Sequence, residues 1–405
     1  MTDAPRAKPG RANPGSQSAL RKLNEQRILD TLASHGTLTQ AGLARVTGLS
    51  TATVSNIVKT LAAQNRVETA TVTSSGRRAL GVSLLDVADV AAGIDFGRSH
   101  VRVVLARPGF RLLDESSAAL PIGHRVEDSI AIAARMLTEA CERTGTNPRQ
   151  LLGAGIGVPG PIDHRTNRVI HGAILPDWVG IDIAGQLRGA LGIPVIIDND
   201  SNLGALAQVT WGEHQACANL CFLKIGSGIG SGLILNGSLY YGHLGITGEI
   251  GHSTIFDQGL ICRCGNRGCL ETVASTYTMT EMLGHAEGRT ITVDDIIKRA
   301  LAGDSATLRV IDDAGVAVGH ALANVANLIN PEAMVIGGPL APLGELLLDP
   351  IRRGLNRHAI PVVGENTSLH MSMLGDRAEA LGAVALVLRQ GATGHSPDPR
   401  KATSR

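Results

Sequence analysis

Residues 245–271 read Gly-Ile-Thr-Gly-Glu-Ile-Gly-His-Ser-Thr-Ile-Phe-Asp-Gln-Gly-Leu-Ile-Cys-Arg-Cys-Gly-Asn-Arg-Gly-Cys-Leu-Glu. Cys262, Cys264 and Cys269 fall within eight residues, and His252 lies ten residues before the first of them. One tight loop therefore offers three thiolates and an imidazole to a single tetrahedral ion, a donor set that suits zinc. Gly265 and Gly268 let the backbone turn between the ligands. The plainer alternative is three small, partly buried thiols beside an ordinary loop histidine. Against it, half of the six cysteines in 405 residues sit in this segment. Four protein ligands leave no position for an activated water, which makes the metal structural. Glu249 and Glu271 bracket the ligands, so the loop reads as one wall of a polar pocket.

Outward from this loop, strands alternate with helices. Residues 219–225 read as a strand running into Gly226-Ser227-Gly228-Ile229-Gly230-Ser231-Gly232, where backbone amides can approach a phosphate unobstructed. Before it, a helix over 181–191 and a strand over 195–197 deliver Asp198-Asn199-Asp200 to a strand end. Earlier still, strands over 91–96 and 101–106 flank Asp95-Phe96-Gly97-Arg98-Ser99, a helix spans 127–143, and a strand over 151–158 leads to Pro159-Gly160-Pro161. Beyond the zinc loop come helices over 292–300 and 306–328, a strand over 333–336, and a helix over 376–390. Gly337 and Gly338 follow the 333–336 strand, either making room for a nucleobase or sugar or simply turning the chain. This alternation argues for an α/β body. The glycine turns at 97, 226–232 and 337–338 suggest two halves facing a cleft.

The N-terminal part is of another kind. Residues 1–18, rich in Pro, Gly, Ala and basic residues, read as a flexible leader. Leu23, Ile28, Leu29 and Leu32 then form a helical face ending near His35-Gly36. Thr39 can cap a second helix carrying Leu43 and Val46, with Gly48 in the turn, and Ser50 can cap a third containing Val54, Ile57, Val58 and Leu61. This is the pattern of a helix-turn-helix. Its third helix would present Thr51, Thr53, Ser55, Asn56 and Lys59 to a major groove. Strands over 67–73 and 79–82, joined through Ser74-Ser75-Gly76-Arg77-Arg78, would form a basic wing in which Arg77 and Arg78 face the DNA backbone or minor groove. A helical dimerisation module with solvated arginines is the alternative.

Charge follows the same division. Residues 1–80 hold 11 Lys and Arg against 4 Asp and Glu, a balance of +7, whereas residues 81–405 hold 26 against 32, a balance of −6. Such asymmetry points to an N-terminal module facing a polyanion. No stretch is long and apolar enough to cross a bilayer and no signal peptide opens the chain, so a soluble, cytoplasmic protein without membrane partners is expected. Six cysteines, three of them committed to a metal, fit a reducing compartment.

Over residues 20–390 the chain resembles the ROK family of repressors, open reading frames and sugar kinases, specifically its transcriptional-regulator branch. The resemblance rests on Gly-Val-Pro-Gly-Pro at 157–161, Asp198-Asn199-Asp200, the glycine run at 226–232, Gly248-Glu249-Ile250-Gly251-His252, and the run from Cys262 to Glu271. It implies an α/β, actin-like and hexokinase-like two-lobed body preceded by a winged helix-turn-helix. The expected divisions are a leader over 1–18, the DNA-binding domain over 19–82, a first lobe over 83–200 completed by the helix 376–390, a second lobe over 201–375 with its zinc loop at 252–269, and a disordered tail over 391–405.

The same resemblance implies zinc on His252, Cys262, Cys264 and Cys269, and sugar hydroxyls on Asn199, Asp200, Glu249, His252 and Glu271. In a kinase member Asp200 would be the general base, Asp95 would organise phosphate and Mg2+, and the 226–232 loop would hold phosphates of ATP. A nucleotide or phosphate site would therefore involve Asp95, Gly97, Arg98, Gly226, Ser227, Gly228, Gly230, Gly337 and Gly338. The chain departs from kinase members at two places. Arg98 puts a long side chain where their phosphate turn has a glycine, and Ile174 stands where they commonly carry Asn.

The expected function is a homodimeric, sugar-responsive regulator, its dimers able to pair into a tetramer, that represses from double-stranded operator DNA and takes a monosaccharide or sugar derivative as effector. The competing expectation is an ATP-dependent sugar kinase that retains a DNA-binding domain.

Overall fold

A computed structural model describes residues 17–63, 66–74, 77–84, 90–170 and 174–393, and the chain divides into two compact units, 1–88 and 89–405. Most of the expected leader and tail, the wing residues Ser75 and Gly76, and Ala173 lie outside the described residues.

The first unit comprises α1 (Gln17–His35), β1 (Leu38–Thr39), α2 (Gln40–Thr47), α3 (Thr51–Ala63), β2 (Val67–Ser74) and β3 (Arg77–Leu84). Residues 17 and 18 thus belong to the first helix rather than to a leader. The Thr39 hydroxyl accepts from Gly42 N at 3.0 Å and starts α2, and Gly48 ends it in the left-handed region at φ 71°. Ser50 Oγ accepts from Thr53 N at 3.1 Å and starts α3. Ile28, Leu43, Val54, Leu61 and Val82 are fully buried together, and β3 runs between β1 and β2 in an antiparallel sheet. Two residues expected on the inner faces are instead exposed: Leu23, 67% accessible, and Val46, 49% accessible.

The second unit contains β4 (Val90–Phe96), β5 (His100–Arg107), β6 (Arg111–Ala119), α4 (Val126–Thr144), β7 (Leu151–Val158), β8 (Ile162–Asp163), β9 (Arg168–Val169), α5 (Ile183–Leu191), β10 (Val195–Asn199) and α6 (Asp200–Gln208). There follow β11 (Leu220–Ile225), β12 (Ile229–Leu235), β13 (Ser238–Leu239), α7 (Glu271–Ala274), α8 (Thr276–Glu287), α9 (Val293–Leu301) and α10 (Ser305–Ile329). The chain closes with β14 (Ala333–Gly337), α11 (Glu345–His358), α12 (Pro361–Asn366), β15 (Ser368–Met371) and α13 (Ala378–Thr393). The last helix therefore runs three residues into the segment expected to be a disordered tail.

Two five-stranded sheets share one topology. In the first the order is β6-β5-β4-β7-β10, and in the second β13-β12-β11-β14-β15. In each, the first three strands in sequence form an antiparallel meander and the fourth and fifth add in parallel beside the first. This duplication defines two lobes. Helices α4 and α5 cover one face of the first sheet, and α10 lies in the core on one face of the second. Helices α6 and α13 pack on each other, α13 against the first sheet and α6 against strands of both. The approach of α13 is close: a Cβ on Gly93 would lie 2.1 Å from Ala380 O, and one on Gly155 2.1 Å from Ala383 O. Parallel strands deliver their C-terminal ends, with Asp95, Val158 and Asn199, to one edge of the first sheet, the usual place for ligand-binding residues.

Candidate functional site

In the loop that carries the cysteines, His252 ends a short 3-10 turn (Ile250–His252), and the chain comes back on itself through Cys262 N donating to Asn266 O at 2.7 Å and Leu270 N donating to Ser253 O at 2.9 Å. These closures bring the donor atoms of His252, Cys262, Cys264 and Cys269 within 4.8 Å of one another. Cys264 Sγ and Cys269 Sγ are 3.7 Å apart, and Cys262 Sγ and His252 Nδ1 3.5 Å. Tetrahedral ligands at about 2.3 Å for sulfur and 2.0 Å for nitrogen would stand about 3.5–3.8 Å apart, so the donor set fits such an ion. Burial and the two neighbouring sulfurs push the Cys269 thiol up to about 12, whereas at Cys264 burial is outweighed by hydrogen bonds from Asn266 and the other two cysteines, which hold the thiol below its ordinary value. The other imidazole edge faces away from the sulfurs, with Nε2 3.7 Å from Glu249 Oε2.

The residues expected to contact a sugar come from both lobes. Asp200 opens α6, and its Oδ2 accepts from Lys224 Nζ at 2.9 Å. That ammonium also lies 3.0 Å from Glu379 Oε1, on α13. Burial works against the Lys224 charge, yet Asp200, Glu379 and Asp95 raise it well above the ordinary lysine value. Glu271 Oε1 accepts from Arg263 Nε at 2.6 Å, while its Oε2 accepts from Ile229 N at 3.1 Å. Glu249 is partly buried, and burial together with the charges of Asp200 and Glu271 lifts its carboxyl to about 7. Asn199 is largely committed to structure. Its Oδ1 caps α6, accepting from Ser201 N at 2.8 Å, and its Nδ2 donates to Gly160 O at 2.8 Å. One amide N–H is left for a ligand.

The expected phosphate-binding residues are dispersed. Gly226 and Gly228 form the β11–β12 turn, closed by Gly226 N donating to Gly228 O at 2.9 Å, with Ser227 between them. Gly230 is not in a loop. It lies inside β12, where a Cβ would come 2.5 Å from Ser201 Oγ. Gly337 ends β14 and makes room for the Phe222 ring, 2.4 Å from where its Cβ would stand; Gly338 follows at φ 102°. The Asp95 turn is capped from within. His100 Nε2 lies 3.1 Å from Asp95 Oδ2, and the imidazole covers Gly97, whose Cβ would meet His100 Cε1 at 2.1 Å. Burial works to raise the Asp95 carboxyl, but the His100 hydrogen bond and the charges of Lys224 and Arg102 hold it below the usual range. Arg98 stacks over the Tyr277 ring, 5.2 Å from its centroid. Ile174 packs against the first-lobe core, its Cδ1 3.0 Å from the Cβ position of Gly228.

On α3, Thr51, Asn56 and Lys59 are exposed and Ser55 is half-buried. The Thr53 hydroxyl is 2.8 Å from that of Ser50, so this side chain belongs to the cap. Arg77 and Arg78 begin β3, paired with Ser74 and Thr73 of the wing, and their side chains lie outside the described residues. Sequence reasoning missed Lys224, His100, Tyr241 and His164. Lys224 stood in an apolar run next to the glycine turn, and its charge was the one available signal.

A winged helix joined in one chain to a two-lobed body of the actin-like, sugar-kinase type is the class defined here. The chain belongs to the ROK family, which it matches over residues 91–390, and residues 22–78 match the MarR family. It is 32% identical over 375 residues to a xylose repressor of Bacillus spizizenii, covering 92% of this chain and 96% of the relative. Among solved structures, a ROK family transcriptional regulator homologous to the Escherichia coli Mlc protein superposes with a TM-score of 0.75 at 26% identity, over 93% of this chain and 97% of that one. A ROK family glucokinase from Streptomyces griseus, solved with glucose and AMPPNP, gives 0.66 at 26% identity, over 73% of this chain and 98% of its own. Among the described residues no helix is long and apolar enough to cross a membrane.

Proposed function

We propose that this protein is a sugar-responsive transcriptional repressor whose ROK body binds a monosaccharide or close derivative without phosphorylating it. The observation that carries the reading is the Lys224–Asp200 pair within a chain that matches a xylose repressor nearly end to end. A general base must accept the proton of the attacking hydroxyl. With Lys224 donating to Asp200 Oδ2, one oxygen of that carboxylate is already engaged by a cation, while the other is left to recognise a hydroxyl. His100 over Gly97 and Arg98 on Tyr277 likewise fill the turn that a nucleotide phosphate would approach.

Sugar hydroxyls would be met by Asp200, by the remaining N–H of Asn199, by Glu249 and by the Nε2 edge of His252, with Glu271 held in place by Arg263. Zinc held by His252, Cys262, Cys264 and Cys269 would fix the loop and the tautomer of that imidazole. Switching requires a difference in ligand affinity between two conformations, not occupancy alone. The test is a footprint of the full chain on the DNA flanking its own gene, repeated with D-xylose, D-glucose and N-acetyl-D-glucosamine. A protected palindrome released by one sugar supports the reading; protection indifferent to every sugar that binds overturns it. The kinase alternative rests on the glucokinase likeness and on Asp200, and turnover with ATP and Mg2+ would restore it.

A further inference from the structure

The segment between β13 and the 3-10 turn at 250–252 is pinned at both ends to the second lobe. Tyr240 N donates to Leu233 O at 2.9 Å, and Ser231 N donates to Gly248 O at 2.8 Å. Between these anchors the segment reaches the first lobe. Tyr241 Oη donates to Asp198 Oδ2 at 2.6 Å, at the end of β10, where Asp198 is 1% exposed. His164, just beyond β8, sets its ring edge-on to Tyr241 at 4.6 Å between centroids, with Nε2 3.5 Å from Asp198 Oδ1. The fit continues to Gly245, where a Cβ would strike His164 Cδ2 at 2.3 Å. Asp198 has little capacity left for a ligand, because its Oδ1 also accepts from Asn199 N at 2.7 Å and Asn202 Nδ2 at 2.9 Å.

We propose that Tyr241 is a positioning residue. Its bond to Asp198, backed by His164, clasps the lobes together on the sugar side and presets the wall carrying Glu249 and His252 against the wall carrying Asn199 and Asp200. Separation of the lobes along this seam has to break a charge-assisted hydrogen bond and unpack His164. Without the clasp, a smaller fraction of molecules is arranged to bind, and apparent affinity falls by that fraction. This affinity effect rests on the sugar-pocket reading; the clasp itself does not.

Tyr241→Phe keeps the ring on His164 and removes only the hydroxyl. In the sugar-free full chain, hydrogen exchange at the amides of Tyr240 and Ser231, whose bonds anchor the segment at its two ends, is expected to quicken about ten-fold, the loss of one hydrogen bond to a charged group, with metal content unchanged. Unchanged exchange at Tyr240 and Ser231 overturns the clasp whatever sugar binds. With D-xylose and D-glucose as probes, the variant should bind whichever sugar the parent binds about ten-fold more weakly. Equal affinity would remove the positioning role. Should neither sugar bind the parent, the proposed effector class fails for these two probes, and the exchange result still decides the clasp.

Discussion

Lys224 Nζ donates to Asp200 Oδ2 at 2.9 Å, so the carboxylate that a sugar kinase would need as a base carries its own counter-ion. Glu379 completes the group from α13, the helix packed on α6 and against the first sheet. Replacing Lys224 by Met strands Asp200, Glu379 and Asp95 near one another. Breaking a buried pair in this way costs about 3–5 kcal/mol. We expect a lower denaturant midpoint with an unchanged slope, and partial recovery in Lys224→Met/Glu379→Gln. A midpoint equal to the parent's would mean that the ammonium contributes little in solution.

The thiol–imidazole cluster makes a separate prediction. Cys264→Ser should bring metal content well below the parent's, together with a loss of sugar affinity, because the same loop carries His252 and supports Arg263 on Glu271. Elemental analysis of dialysed protein checks it. Full metal content in the variant would take Cys264 out of the ligand set.

On the DNA side, Arg77 and Arg78 begin the second wing strand. Replacing both by Gln should weaken binding to all sequences alike and flatten the salt dependence by about 0.9 for each phosphate no longer neutralised. Asn56→Ala should behave otherwise, costing about 1–3 kcal/mol on the operator and little on unrelated DNA. An unchanged salt slope in the arginine variant would exclude the wing as a phosphate-binding element.

His100 provides a pH signature. Its hydrogen bond to Asp95 raises it above the ordinary 6.5, despite the opposing effect of burial. The stabilisation from charged His100 is therefore complete below 6.5 and disappears as pH rises through the folded value above it. The imidazole resonance should titrate with a midpoint above 6.5 in the parent and nearer 6.5 in Asp95→Asn. A midpoint at or below 6.5 in the parent contradicts the pair.

Local chemistry was legible in the sequence where close spacing forces proximity. His252, Cys262, Cys264 and Cys269 converge because they share one short loop with two glycine turns, and Thr39, Gly48 and Ser50 mark helix ends by capping alone. Pairings between distant segments were not legible. Lys224 and Glu379 are 155 residues apart, and Tyr241 and Asp198 43, with no local pattern to pair them. A glycine run predicts a loop at Gly230 because glycine usually breaks strands, whereas here it lets β12 pass close to Ser201. The duplicated sheet topology was also hidden, since only strand order repeats. Leu23 and Val46 fit a helical period yet lie outside the core, because periodicity alone does not fix which residues are covered.

In the proposed function, a sugar in the ROK body changes the hold of the winged helix on DNA. The most direct test is fluorescence anisotropy of the full chain on its footprinted operator, titrated with the sugar whose binding is established on the same preparation. A change in operator affinity that saturates with sugar occupancy, and that is lost in Asp200→Asn together with sugar binding, is the predicted result. Saturating sugar with an unchanged operator affinity would contradict it.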